Sequence, residues 1–238
     1  MLSDKPPYSN IGFVYLQALF TDLKQVKMEI ILSLAAFLIA VALHEVSHGW
    51  VAYLLGDPTA KYMGRLTLNP MAHIDIFGTI ILPLLLVLSG MPAFGWAKPV
   101  PYDPANMRHP RRDAALTALA GPLANIFTAI ILAVPLKYLP DAGVLTLFIE
   151  SLFSVSVVLA VFNILPFPPL DGSKVLGLFI PRRFDLAYQE YLAYGVKYVI
   201  LFVLFDLMFL PRVIGFSVLQ KIILGAAEWV AALISLGT

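Results

Sequence analysis

Long apolar runs, broken by short polar clusters, set the first expectation for this chain. Five of them, Met28 to Leu55, Ala114 to Leu139, Val144 to Leu165, Tyr191 to Leu210 and Val213 to Leu236, each reach the roughly 20 residues that a helix needs to cross a bilayer. Two shorter segments fall below that length. Ile11 to Phe20 is apolar and aromatic with polar residues on either side, the pattern of a helix lying in the interface. Phe77 to Ser89 supplies about 13 residues, about 20 Å of helix against a hydrocarbon core of about 30 Å, and it contains Gly78 and Pro83. This predicts a re-entrant segment that returns to the side it came from, its backbone covered by other helices. Ala60 to Leu68 and Phe94 to Tyr102 have turn-bounded, extended character, with Pro99 and Pro101 limiting pairing in the second, and predict a small β element at the membrane surface.

Composition agrees with that pattern. At 60% hydrophobic and 13% charged residues and a mean hydropathy of +0.85, the chain is too apolar for a soluble globule. The predicted class is an all-α polytopic membrane protein of about five spans, read as one membrane-embedded domain over 1–238, with a core at about 28–180 and C-terminal helices at 191–236. Met1 to Asn10 lacks the basic, apolar and small-residue order of a cleavable signal, so the first long helix is expected to be retained. A net charge of +1 leaves no footprint for nucleic acid. The absence of cysteine excludes disulfides and thiolate metal ligands. Lys61 and Arg65 precede the short segment at 77–89, and Lys98, Arg108, Arg111 and Arg112 follow it, so both of its flanks read as cytoplasmic. Nine Lys or Arg residues fall in the loops so assigned, against Lys5, Lys24 and Lys27 on the N-terminal side, placing the chemistry towards the cytoplasmic face of a cell membrane.

That chemistry begins inside the first span. His44-Glu45-Val46-Ser47-His48 puts two imidazoles at i and i+4 on one helical face, where both can reach a single tetrahedral zinc ion. Glu45 then lies beside the metal, placed to take a proton from water and return it to a leaving amine. With four His and five Glu in the chain, chance supplies on the order of 0.001 such matches, so coincidence at a helix end is the poorer explanation. Ionisable groups in a spanning helix are costly unless a metal or cavity holds them.

Two histidines leave zinc short of a third protein ligand. Asp171 stands out, because Asn163-Ile-Leu-Pro-Phe-Pro-Pro-Leu-Asp171-Gly172 carries a carboxylate just past the end of a span, in a stretch that three prolines unwind. Unwound backbone at membrane depth is tolerated where it lines a cavity or is buried in protein. Together, His44-Glu45-x-x-His48, Asn163-x-x-Pro166-x-Pro168-x-Leu170-Asp171-Gly172 and the intervening Gly121-Pro122-Leu123-Ala124-Asn125 resemble the signatures of the site-2 protease family of intramembrane zinc metalloproteases, in a compact form without PDZ or CBS domain. The resemblance organises Met28 to about Ile180. It implies His44, His48 and Asp171 as ligands of one Zn2+, Glu45 as catalytic base, and Asn163 as a donor to the substrate or the developing oxyanion.

Both halves of the site lie at C-terminal helix ends, so the two helices must run the same way to meet. The spans at 114–139 and 144–165 supply the even number of crossings required, and a full crossing at 77–89 would spoil it. Gly121 and Asn125 read mainly as a close packing face beside the zinc helix. His73 reads mainly as belonging to a polar turn, less readily as a further metal contact, and His109 as surface. Tyr191, Tyr194, Tyr198 and Trp229 read as interfacial anchors; Asp206 and Glu228 as charges in helix pairing or near the interface. The expected function is cleavage of a peptide bond within or near a transmembrane segment of another membrane protein, in contact with the bilayer. The competing expectations are a non-proteolytic zinc-binding membrane protein and a metal transporter. A structural zinc site closes its fourth position with protein, and a transporter spreads ionisable groups through the bundle, whereas here three donors cluster at one end. Substrate identity and oligomeric state do not follow from the sequence.

Overall fold

The computed structural model describes residues 23–88, 95–138 and 143–236. The helices used below are α1 (Leu23–Leu54), α2 (Leu82–Leu88, preceded by a wider turn at Ile76–Ile81), α3 (Pro110–Tyr138), α4 (Val144–Asn163), α5 (Asp171–Leu176), α6 (Asp185–Met208) and α7 (Val218–Leu236). Five stretches are long and apolar enough to cross a membrane: Met28–Leu54, Pro110–Tyr138, Val144–Asn163, Arg182–Ile214 and Val218–Leu236. The chain is therefore a multi-pass membrane protein. The expected interfacial helix at 11–20 lies outside the described residues.

α1, α3 and α4 pack against one another most extensively. Small side chains make that possible: Ala36 and Ala40 of α1 meet Leu152 of α4, and Ala129 and Ala133 of α3 meet Phe153 and Val157. With no water between apolar helices to expel, close backbone approach and dispersion hold such an interface together. α7 lies across the outside of α3 and α4 through Leu219, Ile223, Ala227 and Ile234.

The β element does not form, since no strand occurs among the described residues. Asp57 explains the first half. Its Oδ1 accepts the backbone N–H of Thr59 at 3.1 Å and the Thr59 hydroxyl at 2.5 Å, starting a single helical turn at Thr59–Tyr62 where extended chain was expected. Gly64 follows at φ 66°, a left-handed conformation that glycine adopts without penalty. The second half is explained by its donors. Trp96 N–H donates to Gly78 O at 3.1 Å and Lys98 N–H to His73 O at 2.8 Å, Val100 N–H donates to Glu45 Oε2 at 2.7 Å, and Pro99 and Pro101 have no N–H. Those three donors are turned away from 60–68, and the two segments meet instead through the Arg65 guanidinium, which donates to the carbonyls of Lys98 and Pro99.

Two charged side chains at helix ends bond to backbone groups. Asp206, at the end of α6, accepts the N–H groups of Val218 and Leu219 at 2.9 and 3.2 Å and the Ser217 hydroxyl, so it caps the free N-terminus of α7. The apolar run expected to begin at Val213 is accordingly interrupted, with a short turn at Leu210–Ile214 before α7 starts at Val218. Arg111, in the first turn of α3, donates to the carbonyls of Gly177 and Ile180 and pairs with Asp185 Oδ1 at 2.5 Å, tying α3 to the α5–α6 connection.

Candidate metal centre

α1 runs unbroken through the His44 to His48 turn, so helical spacing alone puts both rings on one side, 4.6 Å apart between centroids. Asp171 arrives from the far end of α4. That helix stops at Asn163, the proline-rich stretch carries the chain round, and Asp171 opens α5. Its Oδ2 lies 3.1 Å from the Nε2 atoms of both His44 and His48, although it is separated from them by more than 120 positions in sequence. All three are buried, and their ligand atoms fall within 4.8 Å of one another.

These donors fit zinc. Metal–ligand bonds of about 2.0–2.2 Å in a tetrahedron put neighbouring donor atoms about 3.3 Å apart, close to the spacing seen here. Nδ1 of His48 donates to the Thr117 carbonyl at 2.6 Å, which leaves Nε2 with a free lone pair facing the site. Lys174, one turn beyond Asp171, sits 3.7 Å from Asp171 Oδ1 and over the Tyr102 ring, so the carboxylate is held from behind while Oδ2 faces the histidines. Burial pushes the Asp171 carboxyl up, but its contacts with His44 and His48 outweigh this and hold it well below the usual carboxylate range. Burial likewise lowers Lys174, and Tyr102 with Asp171 more than compensates, leaving it raised and charged.

Gly121 is the wall of this site. A Cβ there would fall 2.4 Å from His48 Nε2 and 2.6 Å from His44 Nε2, so only glycine lets α3 approach the metal-binding face. Gly49, the residue after His48, permits a second close approach, since a Cβ there would strike Leu66 and Val100 at 2.6 and 2.8 Å. That approach brings the Val100 N–H to Glu45.

The other expected residues divide. Asn163 is half-buried and donates to the Leu159 carbonyl at 3.0 Å. Asn125, 1% exposed, has neither amide atom hydrogen-bonded. His73 is buried and bonds through Nε2 to the Thr67 carbonyl at 2.9 Å, outside the group of metal donors, as a turn residue would. His109 is exposed beside Asp113. The Val100 N–H, the Thr117 carbonyl, Tyr102 and Lys174 are not singled out by the sequence pattern. The first two are backbone groups without a sequence signal, and Lys174 could have been noticed from its i+3 spacing to Asp171.

A donor set of two histidines and an aspartate, with a glutamate next to the first histidine, held within a bundle of membrane-spanning helices, defines a membrane metallopeptidase. The chain matches Peptidase family M50 over residues 32–146 and 137–205, and it belongs to that family, the site-2 proteases. It is 36% identical to YwhC of Bacillus subtilis over 176 residues, 70% of this chain and 77% of that protein. It is 31% identical to Rip2 of Mycolicibacterium smegmatis over 148 residues and 32% identical to Rip2 of Mycobacterium tuberculosis over 149, each match covering 61% of this chain and 56% of the relative. All three carry provisional names as zinc metalloproteases. No solved structure matches the chain. The enzyme is a zinc metallopeptidase, and the competing expectation of a metal transporter is set aside.

Proposed function

We propose that the protein hydrolyses a peptide bond within or near a transmembrane segment of other membrane proteins, with His44, His48 and Asp171 holding the zinc ion. The observation that carries this is the meeting of three buried donors, two from a spanning helix and one from the short α5, beside Glu45. Held by these residues, zinc would supply Lewis-acid polarisation of the scissile carbonyl and a lowered pKa, towards about 7, for its water. Glu45 takes the proton of the attacking water and hands it to the departing nitrogen. The Val100 N–H holds one Glu45 oxygen, leaving the other to carry that proton. Asn163 spends one amide N–H on Leu159, and its second N–H serves the substrate carbonyl as negative charge develops there.

The site opens towards the cytoplasmic side of a cell membrane in this reading. Supporting it are the nine Lys and Arg residues in the loops at that end. The segment at 77–89 is re-entrant in the same reading. Its support is that Gly78, where the chain leaves, accepts a hydrogen bond from Trp96, where it returns, and the Thr79 hydroxyl donates to the Trp96 carbonyl at 2.8 Å. The N-terminal half of α3 also lies beside the C-terminal half of α1, where Thr117 accepts from His48.

A helix hides its carbonyls in its own hydrogen bonds, so a bilayer substrate must unwind before it is cut. The test uses the zinc-loaded protein in vesicles with two labelled transmembrane peptides, identical except that one carries Gly and Pro near the labelled bond and the other carries Leu. Cleavage of the first at least about tenfold faster is expected, each helix-breaking residue easing unwinding by about 1–3 kcal/mol. Cleavage of a water-soluble peptide only, or of neither, contradicts the reading.

A further inference from the structure

α6 and α7 each carry one charged side chain deep in an otherwise apolar stretch, Lys197 and Glu228. Both are exposed on the surface of the bundle. The face of α7 that packs inward is Leu219, Ile223, Ala227 and Ile234, which turns Glu228 outward. On α6 the inward position is Gly195, whose Cβ would touch Pro168, and Lys197 stands two residues on, about 200° round the helix. Among the described residues Glu228 has no hydrogen-bond or ion-pair partner, and Lys197 meets only the rings of Tyr194 and Tyr198, at 5.4 and 4.8 Å.

Their depth is the informative feature. Asp206 is joined to Val218, so the two helices start level there and, as consecutive spans, run away from it in opposite chain directions. Lys197 lies nine residues from Asp206 and Glu228 ten residues from Val218, about 14 and 15 Å along their axes. Counted along the helices, two opposite charges therefore stand at matching distances from the turn, about half a bilayer, and do not pair within the chain. Leaving either facing lipid is costly.

We propose that this face is covered by a second copy of the chain, related by a two-fold axis along the membrane normal, with Lys197 of each copy against Glu228 of the other. Such an axis brings together only groups at equal depth, and an interface of this kind pairs one residue with another twice over. One chain supplies both charges at the depth required, so no other partner is needed. Tyr194, Tyr198 and Trp229, 60%, 63% and 66% exposed, surround the pair with large rings suited to exclude lipid from it.

The test is energy transfer between copies of the full chain carrying donor or acceptor dyes, reconstituted in vesicles at increasing lipid dilution. Wild-type copies should associate, and Lys197→Glu and Glu228→Lys should each self-associate about tenfold more weakly or worse. Mixing the two single variants should restore association, because the mixed pair regains both attractions; this also shows that each variant is folded. A monomeric wild type, single variants that associate as well as wild type, or a mixture that fails to recover overturns the proposal, the last result assigning the charges to closure of α6 on α7 within one chain.

Discussion

A single methyl group on Gly121 would fall 2.4 Å from His48 Nε2 and 2.6 Å from His44 Nε2, the nitrogens proposed to bind zinc. Gly121→Ala should therefore cost zinc before it costs fold. We expect a 10–100-fold weaker zinc affinity, the range typical of disturbed support around a metal, read by competition with a chelator while the thermal stability of the apo protein stays near wild type. Unchanged zinc affinity would mean that α3 can withdraw. Lys174 makes a subtler case. Its Nζ backs Asp171 Oδ1, so Lys174→Met should weaken zinc binding about tenfold, while Lys174→Arg keeps the charge and most of the affinity. At this scale the sequence is informative where side-chain type and spacing mark out donors, as with His44, His48 and Asp171, which the fold brings together. It is silent where the partner is backbone, as with the Val100 N–H on Glu45 and the Thr117 carbonyl on His48, because every residue carries those groups and only the fold selects which are used.

Among the elements, the positions of the long helices follow from apolar length, while their ends follow from polar side chains that bond to backbone. In the sequence Asp206 is a charge out of place; in the fold its partners are the first N–H groups of α7. Asp206→Ala should lower stability by about 0.5–2 kcal/mol, measured as thermal unfolding in detergent, with protease activity little changed below the transition. The turn at Thr59–Tyr62 passes for strand because the stretch is bounded by turns; Asp57 decides otherwise by accepting the N–H and hydroxyl of Thr59 where the turn begins. Burial would raise the Asp57 carboxyl, but hydrogen bonds from Thr59, Asn106 and the Asp103 backbone prevail and hold it below its ordinary value. A lowered folded-state pKa means that its contribution to stability is present above the ordinary carboxylate pKa of about 4 and is lost as pH falls below it. Asp57→Asn should therefore flatten the acid limb of the stability profile, and a profile as steep as wild type would assign the acid sensitivity to other groups.

For the whole molecule, topology and chemistry depend on each other. In the proposed topology the donors on α1 and α5 meet because α3 and α4 together return the chain to the level from which it left, and the segment between α1 and α3 begins and ends on that same side. In a chain without cysteine, single thiols introduced at Lys61 and Lys98 can be labelled without background. Both should react with an impermeant reagent from the same side of the membrane; opposite sides would remove the re-entrant segment. The central claim is that His44, His48 and Asp171 carry the metal while Glu45 carries the proton, and one paired measurement addresses it most directly. Zinc content and cleavage of a transmembrane peptide should be measured side by side in purified Glu45→Gln and Asp171→Ala. Glu45→Gln should keep its zinc and lose about 10²–10⁴-fold in rate, while Asp171→Ala should lose both. Full cleavage by Glu45→Gln, or full zinc occupancy in Asp171→Ala, would contradict it.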